Sequence, residues 1–285
     1  MKNAIAKIVS AWIVLAFSVL AYAAEPVAMV TDLKGSAHLA GQGKPAALAV
    51  LTYLPPGEEI VLDAGSQVVV TYFDQSSEFS FKGPAVISIQ QNSAKVIKGK
   101  PADVRNLDKE KSAGAAKFAR SGKLVFAAVE MRALVFKPTL LSPVNTKIST
   151  LTPLFKWKSV NDPVSYHLLI SDDAGRTVQD INVDASSWQL PKDMPLKPGD
   201  NYQWTVTETL KEGEKLSAKG SFSVADVQTS DRVFSKRPGA DASFSEKVTY
   251  AIYLESEGFR EDAKAIWREL AAERPDDPNL KFRAR

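Results

Sequence analysis

Between residues 141 and 225 the sequence is a series of short segments in which apolar and polar residues alternate. Alternation with a period of two is typical of strands that bury one face, and these segments recur about every 8–15 residues, as in sandwich folds. The predicted inward positions are Phe155, Trp157, Tyr166, Leu168, Ile170, Tyr202, Trp204, Val206, Phe222 and Val224. At about 1.5–3 kcal/mol for each buried side chain, this set can supply most of a core without disulfides. The pattern predicts a β-sandwich.

One turn of this region has the form of a tyrosine corner, in which a Tyr hydroxyl bonds back to upstream backbone. Its residues are Leu196, Pro198, Gly199 and Tyr202. Together with Pro153 and the alternating aromatic residues that follow, they resemble an immunoglobulin-like or fibronectin type III domain, which we assign to residues 139–226. The resemblance implies a fold and says little about function, because such sandwiches serve many unrelated binding roles.

The preceding region, residues 25–98, is also predicted to be β structure. Glycine and proline residues punctuate it, and short apolar or alternating runs lie between them. The clearest predicted strands are 59–62, 67–73, 78–81 and 85–90. Many short strands joined by tight turns favour a sandwich or roll over a fold with alternating strands and helices.

The turn spacing of this region resembles that of a FecR-like domain. The segments that carry the resemblance are Leu33-x-Gly35-Ser36-Ala37, Leu54-x-x-Gly57-x-x-Ile60, Ala64-Gly65-Ser66-x-Val68 and Phe73-Asp74-Gln75-Ser76. Gln75 stands where the family usually has a glycine. The resemblance implies a place in the envelope of a Gram-negative bacterium, in a signalling or an exported modular protein. It does not carry over the regulation of a sigma factor.

Beyond residue 241 the apolar period changes from 2 to 3.6, which predicts two helices. Ser243 and Glu246 form a capping box before the first helix, and Gly258 separates it from a second helix that ends before Pro275. The predicted apolar stripes are Val248, Ala251, Ile252 and Leu254 in the first helix, and Ala263, Ile266, Trp267 and Leu270 in the second.

The spacing of Ala251, Ala263, Trp267 and Pro275 resembles a tetratricopeptide helical hairpin, assigned to residues 242–285. Leu270 departs from that pattern, in which a small residue is usual. Only one copy is present, and such units normally need neighbours to bury their apolar faces. We therefore expect the hairpin to pack on the sandwich, to dimerise or to dock onto another chain.

Two polar stretches are predicted to connect these units. Residues 99–138 are interpreted as a linker, or a weak helix, followed by the apolar run 124–136, which fits either buried strands or a short helix. Residues 227–241 are interpreted as a second linker. Nine basic residues against three acidic ones lie between positions 95 and 123, which suggests either a solvated linker or contact with an anionic envelope component.

The first 24 residues have the form of a secretory signal peptide. Lys2 and Lys7 precede an apolar run, and Ala21 and Ala23 provide the small residues that signal peptidase recognises, so cleavage is expected after residue 23 or 24. An uncleaved membrane anchor is the alternative. Cysteine is absent, which excludes disulfides, thiol catalysis and cysteine-based metal sites.

The sequence does not present a catalytic constellation. Its two histidines, His38 and His167, lie in different predicted domains, and Asn106, Asp108 and Glu110 match only the beginning of a calcium loop. Asp172 and Asp173 are interpreted as turn residues. We therefore predict no catalytic residues, no cofactor-binding residues and no metal ligands.

Tryptophan side chains suggest one further possibility, because aromatic rings can stack on sugars. Trp157, Trp204 and Trp267 lie in predicted core stripes, whereas Trp188 lies in a polar stretch and is the one expected to be exposed. A glycan ligand is therefore possible. The near-neutral net charge gives no electrostatic reason to expect nucleic acid.

Together these observations predict a mainly β protein with a FecR-like β domain, an immunoglobulin-like β-sandwich and a C-terminal α-helical hairpin. The expected function is that of a non-enzymatic, periplasmic or secreted modular protein that binds an envelope protein as a scaffold or signalling component. The alternative is a cell-wall glycan or peptidoglycan binder, and an enzyme is the third hypothesis. No stable membrane span is expected after cleavage of the signal.

We predict that protein exported by a Gram-negative host begins at Ala24 or Glu25. A bulky side chain at the last recognition position, as in Ala23→Phe, should block cleavage there and cause the precursor to accumulate. Intact-mass measurement checks both expectations, with Tyr22→Phe as the matched control that should be cleaved normally. A wild-type protein that keeps its full mass would instead support the anchor.

Overall fold

A computed structural model describes residues 25–41, 46–120, 137–160 and 163–285. The predicted signal peptide and the apolar run 124–136 lie outside these ranges. Within them the protein is mainly β, with several antiparallel sheets and helices at the C-terminal end. No helix in the described part of the chain is both long and apolar enough to cross a membrane.

The first β module is built of two five-stranded sheets. Its strands are β1 Ala28–Lys34, β2 Ala37–Leu39, β3 Ala46–Ala47, β4 Tyr53–Leu54, β5 Glu59–Leu62, β6 Gln67–Tyr72, β7 Ser77–Lys82, β8 Ala85–Ile89, β9 Ala94–Lys98 and β10 Asp103–Asn106. One sheet has the order β10-β7-β6-β1-β4 and the other the order β3-β2-β5-β8-β9. The four strands predicted from the sequence are confirmed to within one residue at each end.

Alternating burial along the strands explains why this module folds as two sheets. In β8, Ala85, Ile87 and Ile89 are buried, and the residues between them are partly exposed, as predicted. The buried faces of both sheets contribute to one apolar cluster, which includes Ile60 and Phe81. Burial on one face thus fixes the register, because a slip of one residue would turn these side chains to solvent.

The middle module contains eight strands in two sheets. They are β11 Thr139–Ser142, β12 Thr146–Ile148, β13 Leu154–Lys158, β14 Ser165–Asp172, β15 Thr177–Val183, β16 Ser187–Gln189, β17 Asn201–Thr209 and β18 Lys215–Val224. The sheets have the orders β11-β13-β16 and β12-β18-β17-β14-β15, and β12 runs parallel to β18. This strand order is that of an immunoglobulin-like or fibronectin type III sandwich.

The predicted core and the predicted tyrosine corner of this sandwich are both confirmed. All ten inward positions, from Phe155 to Val224, are buried. The Lys197 backbone N–H donates to the Tyr202 hydroxyl at 2.9 Å, which fixes the turn that leads into β17. Burial raises the pKa of Tyr202, so its hydroxyl remains a neutral group in this bond.

Five helices complete the described structure, and two of them lie where linkers were expected. They are α1 Lys109–Arg120, α2 Val227–Phe234, α3 Phe244–Glu257, α4 Arg260–Glu273 and α5 Pro278–Arg283. The linker interpretation of 99–138 is wrong for residues 103–106, which pair with β7, and for α1. The interpretation of 227–241 as a linker is wrong over α2. The weak-helix alternative for the first stretch is closer to the structure.

Small residues explain why α1 was not recognised as a packed element. It buries Ala115, Ala116 and Phe118, a face with little of the usual apolar signal. A side chain at Gly114 would come within 2.8 Å of Ser256 and 3.1 Å of the Tyr253 ring, so glycine allows α1 to approach α3 closely. Burial of this face therefore depends on the distant α3, which the local sequence does not reveal.

The helical hairpin begins and ends as the sequence predicts. Ser243 and Glu246 form the capping box of α3, and Gly258 ends it in the left-handed conformation with a φ of 95°. The apolar stripes of α3 and α4 are buried throughout. They are covered within the chain, but by α1 and the first β module and not by the sandwich, as had been expected for intramolecular packing.

The apolar faces of the helices and one sheet of the first β module form a single core. Met29 and Phe73 from the first module pack in one cluster with Phe118 of α1, Leu254 of α3 and Trp267 of α4. The sandwich is consequently inserted between α1 and α2, two helices that belong to the same layer. The first β module and all five helices thus contribute to one apolar cluster.

This shared core predicts coupled stability. Leu254 is 1% exposed, so Leu254→Ala should lower the free energy of unfolding by about 2–5 kcal/mol through the cavity that it leaves. Hydrogen exchange read by mass spectrometry should show lost protection in β1 and β6, whose ends supply Met29 and Phe73 to this core, as well as in α3. Leu141→Ala, at a position that is 54% exposed, is the control that should change little. Protection lost in α3 alone would contradict the shared core.

Candidate interaction site at the junction of sandwich and helices

The first turn of α4 is capped by a residue of the sandwich. Phe259, at the N-cap position, makes no side-chain capping bond. Instead, Thr146 Oγ1 accepts from the backbone N–H groups of Arg260 at 3.1 Å and Glu261 at 3.5 Å. The first N–H groups of a helix have no partner within it, so this hydroxyl takes the role that a local Ser or Thr usually has.

The side chain of Glu261 makes hydrogen bonds in the opposite direction, because here the sandwich donates and α4 accepts. Ser142 Oγ donates to Glu261 Oε2 at 2.6 Å, and the Val144 backbone N–H donates to Oε1 at 3.3 Å. The Lys147 N–H also donates to the Gly258 carbonyl at 2.8 Å. These bonds resemble a capping box formed between two modules, and they fix the hairpin turn against β12.

A cleft of about 390 Å³ lies beside this junction. Its floor is the outer face of β17 and β18, which presents Asn201, Gln203, Ser221 and Ser223. Within the described ranges, none of these four side chains makes a hydrogen bond to protein. Concave surfaces between domains that present a few convergent polar groups are common places for ligand sites, and these groups are free to bond a ligand.

Charged groups stand at the two sides of this floor. Lys147 and Arg260 lie on the helical side, and Asp173 lies on the turn between β14 and β15. Arg260 Nη1 donates to the Asn145 carbonyl at 2.8 Å, and the Lys147 ammonium lies 5.6 Å from the centre of the Phe259 ring. Both cations are therefore oriented by uncharged groups, and Lys147 also interacts electrostatically with Asp226.

A second cleft, of about 510 Å³, lies between β1 and the α4–α5 loop, but Arg274 and Asp277, two of its charged residues, join the modules. Arg274 pairs with Asp32 at 3.5 Å and lies 4.5 Å from the Phe244 ring. Asp277 Oδ2 accepts from the Val50 N–H at 2.9 Å while its other oxygen caps α5. This cleft is thus a join between modules, and the junction cleft is the better candidate site.

The structure does not bring the histidine and acidic candidates together. His38 lies in β2 of the first module, and His167 lies in β14, where its Nε2 is 2.6 Å from Asp180 on the neighbouring strand. Asp108 caps α1 by accepting from the Glu110 and Lys111 N–H groups, at 3.0 and 3.2 Å. No group of three or more histidine or acidic side chains in the described residues could hold a metal ion.

Asp172 and Asp173 form a turn, as the sequence predicts. Asp172 accepts from the Arg176 backbone N–H and pairs with its guanidinium at 2.7 Å. The backbone hydrogen bond from Arg176 is the main reason that the pKa of Asp172 is lowered. Asp173, the next residue, makes no side-chain bond or ion pair in the described ranges and is exposed to the junction cleft.

The tryptophan side chains do not offer the exposed aromatic face that was expected. Trp157, Trp204 and Trp267 are buried, and the indole N–H of Trp267 donates to Glu255 at 2.6 Å. Trp188 is only partly exposed, because its ring packs 6.2 Å from Phe155 at the edge of the sandwich core. Trp188 is thus the most exposed of these four tryptophans, as the sequence suggests, but one side of its ring is covered.

The basic stretch from 95 to 123 separates into two parts. Arg105 is engaged with Glu78 at 2.7 Å and Glu246 at 2.9 Å, and Lys117 donates to the Ser256 carbonyl. Lys95 and Lys98 are exposed on β9 and form no ion pair within the described residues. Part of the predicted charge therefore joins α3 to the first module and to α1.

One buried carboxylate lies apart from these sites. Glu208 on β17 is 0% exposed, and neither of its oxygens has a hydrogen-bond partner in the described part of the chain. It lies opposite Tyr166 in the strand pairing and does not line the junction cleft.

The residues of the junction cleft were not identified from the sequence. Asn201, Gln203, Ser221 and Ser223 occupy the outward positions of alternating strands, where polar side chains are expected on any solvated face. They lie together because β17 and β18 pair in one sheet, and Arg260, which follows several dozen residues later in the sequence, completes the cleft. The sequence feature that could have indicated the cleft is the set of amide and hydroxyl residues close to Tyr202 of the tyrosine corner.

Comparison with known proteins leaves the family open. No family model matches the sequence, and no curated protein matches it. Solved structures that are similar include CopC from Methylosinus trichosporium OB3b, with 14% identity over 32% of this chain and 95% of that chain and a TM-score of 0.26. An FN3 domain of human collagen XX has 17% identity over 33% of this chain and 99% of that chain, with a TM-score of 0.21.

The FN1–FN3 domains of chicken CNTN1 are similar over a longer stretch, with 12% identity over 71% of this chain and 55% of that chain and a TM-score of 0.24. Scores at this level do not define a family or a ligand. The description of the middle module as immunoglobulin-like therefore depends on its strand order and tyrosine corner.

The cap from Thr146 predicts a measurable contribution to the junction. Thr146→Val keeps the shape of the side chain but removes the hydroxyl, and it should cost about 0.5–2 kcal/mol of unfolding free energy, as other lost caps do. Exchange of the Arg260 and Glu261 amide hydrogens should become faster. Thr205→Val, on the outer face of β17, is the matched control. Unchanged exchange at both amides would show that the cap does not hold α4.

Proposed function

We propose that this chain is a non-enzymatic protein-interaction component of the Gram-negative envelope and that it binds its partner at the junction cleft. The observation that carries the proposal is the set of amide and hydroxyl side chains that converge there without protein partners. The surrounding bonds between sandwich and helices hold the cleft in one shape, which reduces the entropy lost on binding.

The uses of the titratable groups support a role without catalysis. Asp108 and Asp277 cap helices, and Glu261 binds the sandwich. Glu110 accepts from the Tyr253 hydroxyl at 3.0 Å and pairs with Arg232 at 3.3 Å. Side chains of the kind that acid–base chemistry requires thus serve to hold helices together.

Export to the periplasm is supported by the sequence. The first 24 residues have the charge, apolar run and small residues of a signal peptide, and the turn spacing of the first module resembles FecR-like domains of the envelope. The first module, with its two packed sheets, is consistent with that resemblance. A chain without cysteine depends on its cores for stability in that compartment.

The packing of the helices changes which surface should receive the partner. The hairpin of α3 and α4 resembles a tetratricopeptide unit, but its apolar stripes lie in the core shared with the first β module. Deletion of residues 242–285 would expose this core and would not test a contact surface. Substitutions at the rim and floor of the junction cleft test it without disturbing the fold.

A cell-wall glycan is the second candidate ligand, favoured by the same amide and hydroxyl floor, which can bond sugar hydroxyls. Packing of Trp188 on Phe155 disfavours the stacking mode that sugar sites commonly use. Sedimentation with purified sacculi separates the two candidates. A protein-interaction component should remain in the supernatant, and co-sedimentation that Gln203→Ala abolishes would favour the glycan.

The proposal predicts position-specific crosslinking in intact cells. A photo-crosslinking amino acid at Gln203, inside the cleft, should form an adduct with one protein partner. The matched control carries the same amino acid at Thr207, which lies on the same face of β17 but outside the cleft. This control should not form an adduct. The adduct should disappear when Lys147→Met is added. Equal adducts at both positions, or none at Gln203, would rule out this cleft as the contact site.

A further inference from the structure

The side chains on the floor of the junction cleft change from cationic to neutral to anionic across four neighbouring strands. Lys147 of β12 pairs in register with Ser223 of β18, and Ser223 pairs with Asn201 of β17. Asp172 of β14 lies opposite Tyr202, so Asp173 follows on the far side of Asn201. Residues in register on neighbouring strands point to the same face. The order across the floor is therefore cation, hydroxyl, amide and carboxylate.

The charged ends of this row are separated by three strand spacings. Neighbouring strands lie about 4.8 Å apart, which places the two ends roughly 14 Å from each other at the backbone. An extended chain spans about 3.3–3.6 Å per residue, so a segment of about four residues covers the same distance. The floor thus has the length and polarity of a short extended peptide.

We propose that the junction cleft binds the free carboxyl terminus of a short peptide. The carboxylate lies against Lys147 and Arg260, the peptide amides face Asn201 and Gln203, and an ammonium group about four residues away lies towards Asp173. This inference rests on the proposed function and names the chemical class of the partner.

The arrangement of the cations favours a carboxylate over other acidic ligands. One guanidinium nitrogen of Arg260 donates to the Asn145 carbonyl, and this bond sets the orientation of the whole guanidinium group. A guanidinium in a set orientation suits the planar carboxylate group. The opposing Asp173 disfavours a ligand that is anionic along its whole length, such as a polyphosphate.

The neutral groups of the floor match peptide amides. An Asn or Gln side chain has both a donor and an acceptor, as a peptide unit has, and hydroxyls can take either role. Asn201 and Ser223 lie in one register row, and Gln203 and Ser221 lie in the next. The two rows run side by side along the proposed segment, so they can bond peptide groups that point to either side of it.

Tetra-alanine is a suitable probe, because it carries both termini and no other functional group. Titration into the ¹⁵N-labelled full chain should shift the amide resonances of Asn201, Gln203, Ser221 and Ser223. Tetra-alanine amide, which lacks the carboxylate, should bind at least about tenfold more weakly, as expected for one lost charge-assisted contact. Equal affinity of the two peptides, or shifts elsewhere on the protein, would overturn the proposal.

Single substitutions test separately where the carboxylate end and the ammonium end of the peptide bind. Lys147→Met should weaken tetra-alanine about tenfold and remove its advantage over the amide. Asp173→Asn should instead remove the advantage of tetra-alanine over N-acetyl-tetra-alanine. Lys219→Met, on the outer face of β18 next to Thr205 and outside the cleft, is the matched control and should leave all affinities unchanged. A loss with Lys219→Met equal to that with Lys147→Met would reveal attraction by overall charge alone.

The outcome separates this inference from the proposed function. A partner that crosslinks at Gln203 while tetra-alanine does not bind would overturn the peptide-terminus inference and keep the cleft as the contact site. Binding of tetra-alanine without any crosslinked partner would support the inference and count against a protein partner in the cell.

Discussion

The structure depends on one apolar core that two separate parts of the chain build together. One sheet of the first β module contributes Met29 and Phe73, and the helices contribute Phe118, Leu254 and Trp267. Neither the sheet nor the helical hairpin could leave these faces exposed to water without a large free-energy cost. Because α1 precedes the sandwich and α3 follows it, the same core also fixes where the sandwich begins and ends.

Hydrogen bonds and ion pairs fix the relative orientation of the packed helices. Arg232 of α2 bonds the Tyr253 hydroxyl at 2.7 Å and Glu257 at 2.6 Å, and Lys236 pairs with Asp108 at 2.7 Å. These bonds join α1 to α2 and α3, the helices on either side of the inserted sandwich. Burial raises the pKa of Tyr253, so the hydroxyl keeps its proton and can donate to Glu110.

The junction cleft results from the apolar core together with polar bonds between the modules. The shared core sets the position of the hairpin turn, and the exchange between Thr146 and Glu261 fixes that turn on β12. Arg260 thereby lies above a polar sheet face that would otherwise be open to solvent. The sandwich supplies the floor of this cleft, and Gly258 and Arg260 complete it from the helical side.

The sequence by itself determined what depends on neighbours along the chain. Strands of period two, the tyrosine corner at Tyr202 and the capping box at Ser243 and Glu246 were predicted because each is set within a few residues. Tertiary structure decided the packing of α1, whose small side chains give little apolar signal. It also decided the junction, where Thr146 and Arg260 meet across 114 positions, a pairing fixed only by the folded core.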